Sequence, residues 1–191
     1  MEEIWVEAHP HEDIPDSTGR LPRENAVYQL LLRLAIPFQR IDHDPVETIE
    51  ACGAVDHKLG THMCKNLFLC NRQKTQFYLL LMPGEKKFLT KELSRQIGSA
   101  RLSFAGADAM EAYLGLSPGS VSVMGLMNDT EGKVQLLVDR PVYEAEFLGC
   151  HPCVNTASLK MRSADVWNKF LPAVKHTVQV VELTGEEVCR S

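Results

Sequence analysis

No apolar run in the chain approaches the roughly 18 residues that cross a bilayer as a helix. Its opening, Met1-Glu2-Glu3-Ile4-Trp5, is acidic where an export signal is basic and then apolar. A helical membrane protein is thereby excluded, and the chain reads as soluble and cytoplasmic. Six cysteines in 191 residues are too sparse for a disulfide framework, so reduced thiols are expected. There is no G-x-S-x-G, and no S-x-x-K stands at a helix start, which removes the usual serine nucleophiles. Neither a P-loop nor G-x-G-x-x-G occurs, so nucleoside triphosphates and dinucleotides lack their usual cradle. Internal repeats and low-complexity tracts are absent as well.

What is present is an ordinary globular composition, 45% apolar and 24% charged, enough for a sizeable core. The net charge is −5, but its placement is uneven. Six acids (Glu2, Glu3, Glu7, Glu12, Asp13, Asp16) face only Arg20 in the first 20 residues, and the rest balances at 19 basic and 19 acidic. A broadly basic nucleic-acid binder is therefore not expected, although a local basic groove remains open. Residues 1–22 lack periodicity and hold Pro10, Pro15 and Pro22, so they read as an acidic tail, with a docking peptide around Trp5 as the sharper alternative. The folded domain is expected over 23–191.

From Arg23 the pattern turns helical: Val27, Leu30, Leu31 and Leu34 share a face, and Pro37 ends the run. Phe38–Asp42 alternates as a strand, and Thr48 is placed to cap a helix closed near Gly60. Cys64–Cys70 and Thr75–Met82 read as a hairpin. Short helices are expected after Thr90, over Asp108–Leu114 and from Ser163 to Leu171. Strands are expected at 101–104, 120–127, 134–139, 142–148, 154–161 and 176–183. Hairpins with interspersed helices predict an α+β fold rather than a repeated βαβ wrap.

Several residues could carry chemistry. Lys65 lies on the same strand face as Leu67 and Leu69, either snorkelling from the strand end or meeting an anion in a cavity. Cys150-His151-Pro152-Cys153 is a CxxC that could be a redox pair or, with His62 and Cys64, a zinc site. A strand-like segment follows it, and there is no second CxxC, so incidental buried thiols are the expectation. Gly115 to Ser120 is a glycine-containing loop whose N–H groups could face an anion or carbonyl, and Pro152 restrains His151 to extended geometry.

Taken together, His62-Met63-Cys64-Lys65-Asn66-Leu67-Phe68-Leu69, Leu114 to Val121, Gly125-Leu126-Met127-Asn128-Asp129 and His151 to Ala157 resemble, in order, the prolyl-tRNA editing domain family. Its members include YbaK, the editing insertion of bacterial prolyl-tRNA synthetases and the free-standing ProX branch, which this chain resembles over about residues 23–185. The resemblance implies a compact, barrel-like α+β domain that hydrolyses mischarged tRNA(Pro), first of all Ala-tRNA(Pro), in trans. It implies Lys65 and His151 as catalytic residues and Gly119, Ser120, Asn155 and Thr156 as substrate-binding residues. No metal or other cofactor is implied. The partners implied are the tRNA(Pro) acceptor end and, second, prolyl-tRNA synthetase, with neither membrane nor DNA. Where the family's G-x-x-x-P loop has proline, this chain has Val123. That departure keeps open a non-catalytic homologue that binds tRNA or a synthetase.

Overall fold

Val27, Leu30 and Leu31 repeat at helical spacing and bury one face of α1 (Pro22–Arg33), where Pro22 sits in the first turn and its missing N–H costs nothing. The computed structural model describes residues 4–45 and 49–186. β1 (Phe38–Asp42) follows, then α2 (Ile49–Leu59), which Gly60 closes at a φ of 61°. The cap expected at Thr48 lies outside the described residues. β2 (Cys64–Asn71) and β3 (Phe77–Pro83) form the expected hairpin. Asn71 holds its turn by accepting the Thr75 and Gln76 N–H groups at 2.9 and 3.2 Å.

After the hairpin come α3 (Thr90–Gln96), β4 (Leu102–Phe104), α4 (Ala107–Leu114) and a 3-10 helix, Val123–Asn128. The chain then builds β5 (Val134–Asp139), α5 (Arg140–Glu144), β6 (Phe147–Cys150) and β7 (Ala157–Arg162). It continues through α6 (Ser163–Asp165), a π-wound segment Val166–Phe170, α7 (Leu171–Ala173) and β8 (Val178–Val181).

The strands make two sheets. A five-stranded mixed sheet runs β4-β2-β3-β5-β8, and a three-stranded antiparallel sheet runs β1-β7-β6. Alternation on the larger sheet serves two cores. Phe68, Cys70, Leu79, Leu81, Leu136 and Val138 face the main core, which also takes Leu148, Leu159 and Met161 from the smaller sheet. Leu69, Leu80, Met82 and Leu137 face a second core closed by Leu93 of α3. The sheets meet where Met63 pairs with Gly149 in parallel. A Cβ on Gly149 would stand 2.8 Å from the His62 carbonyl oxygen and 2.9 Å from the Met63 sulfur, so only glycine permits this approach.

The α+β class holds, while among the described residues the strands form open sheets rather than a closed barrel. Two expected strands are corrected. Residues 120–127 instead lead into the 3-10 helix, because Val123 to Leu126 are all buried and a fully buried run carries no period that separates strand from helix. At 142–148 the chain first makes α5, with Pro141 in its first turn, and the strand starts only at Phe147. Thr90 and Ser163 open their helices, but the cap positions fall on Leu89 and Arg162, without side-chain caps. The acidic segment before α1 lies along β1. His11 and Arg40 exchange backbone hydrogen bonds, Glu7 donates its N–H to Asp42, and Asp44 donates its N–H to Trp5.

Candidate active site

The Met63–Gly149 pair organises the site. Because it is parallel, Lys65 and His151 each lie two residues beyond it in the same direction, on adjacent elements. Lys65 is half-buried at the start of β2, opposite Met82, with Leu67 and Leu69 beyond it on its face. Its ammonium donates to the Lys86 carbonyl at 3.0 Å, which uses one of three donors. Asn66 points to the other face, where its amide donates to the Cys64 carbonyl at 3.0 Å while its Oδ1 is buried without a partner. Lys65 and His151 make no direct contact among the described residues.

His151 lies in the loop after β6, and the four other predicted residues lie in that same loop or in the glycine loop tied to it. Gly119 adopts a φ of 87°, a left-handed turn that favours glycine. The Asn155 amide nitrogen would stand 3.8 Å from a Cβ there, so Asn155 abuts the glycine turn. Thr156 accepts the His43 N–H at its carbonyl, 3.0 Å away, with its own side chain exposed. Ser120 is buried, and its hydroxyl is occupied within the loop, donating to the Ser117 carbonyl at 2.8 Å and accepting the Ser117 N–H at 3.3 Å. The two loops are tied together by Ser122, whose hydroxyl donates to the His151 carbonyl at 2.5 Å and accepts the Met124 N–H at 3.2 Å.

That tie answers the departure at Val123. Val123 is the first residue of the 3-10 helix, the position at which proline's fixed φ is useful. Here the Ser122 cap and the complete burial of Val123 anchor the loop instead.

The His151 Nδ1 lies 2.9 Å from the Ala157 carbonyl oxygen. A carbonyl only accepts, so Nδ1 carries the proton and Nε2 is the bare nitrogen. Burial pushes the His151 pKa below the ordinary imidazole value, the Ala157 hydrogen bond partly restores it, and His43 lowers it further. The ring is therefore neutral at pH 7. Nearby thiols are unreactive for a related reason: burial pushes Cys64 and Cys153 up to about 12 and Cys150 well above its usual value. Among the described residues no three His, Cys, Asp or Glu side chains gather as metal ligands, and His62 turns instead to Asp56 at 3.3 Å.

Sequence reasoning missed three neighbours. Arg23 of α1 donates to the Ser117 hydroxyl at 3.3 Å and leaves its Nε buried without a partner, placing a cation against the glycine loop. His43 and Ser158 lie behind His151, with the His43 and His151 ring centroids 6.2 Å apart. Their separations in sequence run from 7 to 115 residues, which no local pattern reports.

Comparison with known proteins agrees with this architecture. The chain is 34% identical over 160 residues to the prolyl-tRNA editing protein ProX of Acetoanaerobium sticklandii, covering 84% of this chain and 97% of that one. It is 30% identical over 151 residues to the prolyl-tRNA synthetase associated domain-containing protein 1 of Danio rerio, covering 78% and 81%. A solved structure assigned as a candidate trans-editing enzyme for prolyl-tRNA synthetase superposes with a TM-score of 0.61 at 14% identity, over 85% of this chain and 97% of that one, and shows the same fold. Residues 43–168 match the aminoacyl-tRNA editing domain, a stretch that contains Lys65, the glycine loop and His151, and the chain belongs to that family.

Proposed function

We propose that this protein is a trans-acting deacylase of mischarged tRNA(Pro), with Ala-tRNA(Pro) as its first substrate. The observation that carries the reading is the convergence of the Gly119 turn, Asn155 and a neutral His151 beside the strand that bears Lys65. An aminoacyl ester needs a water attack and a stabilised oxyanion, not a covalent nucleophile. The side chains nearby fit that: the thiols are held protonated, and the Ser120 and Ser122 hydroxyls are both engaged in holding loops.

In this mechanism Lys65 takes a phosphate or ribose oxygen of the terminal adenosine, using its remaining donors. The 2′-OH of that adenosine positions the water. Backbone N–H groups around Gly119 meet the negative charge that develops on the carbonyl oxygen, as the ester C–O bond breaks and the proton passes to the departing 3′ oxygen. His151 and Asn155 form the wall that receives the small amino acid. A small second pocket performs a rejection that a synthetase cannot achieve by binding alone, since one methylene is worth only about 1–3 kcal/mol. The tRNA arrives after release from its synthetase, and prolyl-tRNA synthetase is the natural source.

Single-turnover deacylation of Ala-, Cys-, Ser- and Pro-tRNA(Pro) tests this, with thermal melting alongside. The wild type is expected to release alanine fastest. Lys65→Ala is expected to remove nearly all activity while melting normally, because a charge-assisted hydrogen bond worth about 1.5–3 kcal/mol and the placement of the ester are lost together. A wild-type rate in Lys65→Ala makes this lysine a surface residue. An inert wild type that still binds tRNA leaves a non-catalytic binding homologue.

A further inference from the structure

Two buried polar residues stand behind His151: His43, 3% exposed just after β1, and Ser158, 1% exposed in β7. His43 Nδ1 lies 2.7 Å from the Asp44 carbonyl oxygen, and its Nε2 lies 2.9 Å from Ser158 Oγ. Ser158 Oγ lies 3.4 Å from His151 Nδ1, the nitrogen that also meets the Ala157 carbonyl.

These partners fix where the protons sit. The Asp44 carbonyl only accepts, so His43 Nδ1 carries hydrogen and neutral His43 has a lone pair on Nε2. The single hydroxyl hydrogen of Ser158 is then donated to His43. With that hydrogen committed, Ser158 Oγ faces His151 as an acceptor, a long second arm beside the Ala157 carbonyl. Without His43 the hydroxyl would be ambivalent: it could turn its hydrogen toward His151 Nδ1 and favour the tautomer protonated on Nε2. Burial keeps both rings neutral, with Asp42 and Asp44 partly opposing it at His43.

We propose that His43 and Ser158 are positioning residues that hold His151 in its Nδ1–H tautomer, so that Nε2 meets the aminoacyl end of the substrate as a hydrogen-bond acceptor. The substrate in that statement rests on the deacylase reading; the tautomer does not. An acceptor nitrogen suits an amino-acid moiety, whose α-ammonium is all donor.

The test uses the full-length protein with 15N-labelled histidine, long-range 1H–15N spectra at neutral pH, and deacylation of Ala-tRNA(Pro). Wild-type His151 is expected to be protonated on Nδ1 and bare on Nε2. His43→Phe removes the acceptor for Ser158. It should move His151 toward the Nε2–H form and lower kcat at least about tenfold with KM little changed, as a wrong histidine tautomer does elsewhere. His43→Gln, which keeps an acceptor oxygen, should retain both tautomer and rate. Adding Ser158→Ala to His43→Phe removes the ambivalent hydroxyl and should return the tautomer and most of the rate. An Nε2–H His151 in the wild type, an unchanged tautomer in His43→Phe, or a double variant no better than the single one overturns the proposal. If His43→Phe does not fold, His43→Leu, which also removes the acceptor for Ser158, is read in the same spectra, and an unchanged His151 tautomer there overturns the proposal. An inert wild type whose tautomers respond as stated removes the substrate assignment and leaves the relay standing.

Discussion

His43 and His151 are imidazoles held neutral by burial, and that has a consequence for stability apart from any reaction. Both are shifted below the ordinary value of about 6.5, so the unfolded chain binds protons more readily than the folded one as the solution turns acidic. The sign follows: their contribution is fully present above about pH 6.5 and is lost as pH falls from there through the depressed folded values. The melting temperature is expected to drop between about pH 7.5 and pH 5.5. His151→Asn, which does not titrate there, should lose part of that drop. Parallel melts of the two proteins at both pH values check this, and identical slopes would show that the buried imidazoles are not responsible. The Asp42 and Asp44 carboxylates near His43 moderate the effect at that ring.

Among the elements, the turn into β5 shows how one side chain can hold a junction. Asp129 is 4% exposed and accepts the N–H groups of Lys133 at 2.9 Å and Val134 at 2.7 Å. It also accepts from His176 Nε2 at 3.0 Å, and so joins the turn before β5 to the turn before β8. The other nitrogen of His176 meets the Val174 carbonyl at 2.7 Å, so both ring nitrogens face acceptors. Asp129→Ala would strand a buried imidazole and two backbone donors, and is expected to cost about 3–5 kcal/mol. A urea titration measures it, and a loss under about 1 kcal/mol would mean that water replaces the carboxylate. This junction also marks the limit of what the sequence makes legible. Alternation in Leu67 and Leu69 and the spacing of Val27, Leu30 and Leu31 are local, and β2 and α1 could be read from them directly. The buried run Val123 to Leu126 has no period, and the helix there depends on Ser122 bonding back to its own turn and across to His151. Lys65 stands out in sequence because a cation heads an otherwise apolar strand face, whereas His151 is marked locally only by Pro152 and takes its expected role from the family resemblance. Arg23, His43 and Ser158 carry no such mark, because what places them beside the glycine loop and His151 is the pairing of β1 with β7 and the docking of α1.

For the molecule as a whole, the segment before α1 matters more than its composition suggests. Residues 4–15 add a discontinuous strand to β1 and supply acids to cations that the fold buries. Arg40 is 6% exposed and donates to the Asp13 carbonyl at 3.0 Å and to its carboxylate at 3.1 Å. Arg20 donates in turn to Glu24, itself 4% exposed, and to Asp42. Removing residues 1–20 would therefore leave Arg40 with Asp42 at 3.6 Å and Glu24 without Arg20, while uncovering the outer edge of β1. Losing Arg20 strands the buried Glu24 carboxylate, which costs about 3–5 kcal/mol, or roughly 6–20 °C for a domain of this size, while the exposed Asp13 adds little by leaving Arg40. An uncovered, regular edge also invites pairing between chains. The truncated protein is expected to melt at least about 6 °C lower and to form larger species as its concentration rises, measured by thermal melting and light scattering. Among the described residues none of Lys65, Gly119, Asn155 and His151 bonds to the deleted segment, but His43 pairs with Val6 and Asp44 donates to Trp5, so a fall in the deacylation rate at low temperature is expected to come through the loosened His43 behind His151. A melting temperature within a degree or two of the full-length protein would mean that Arg40 and Glu24 find water or each other once the segment is gone. The acids before α1 would then serve solubility rather than the fold.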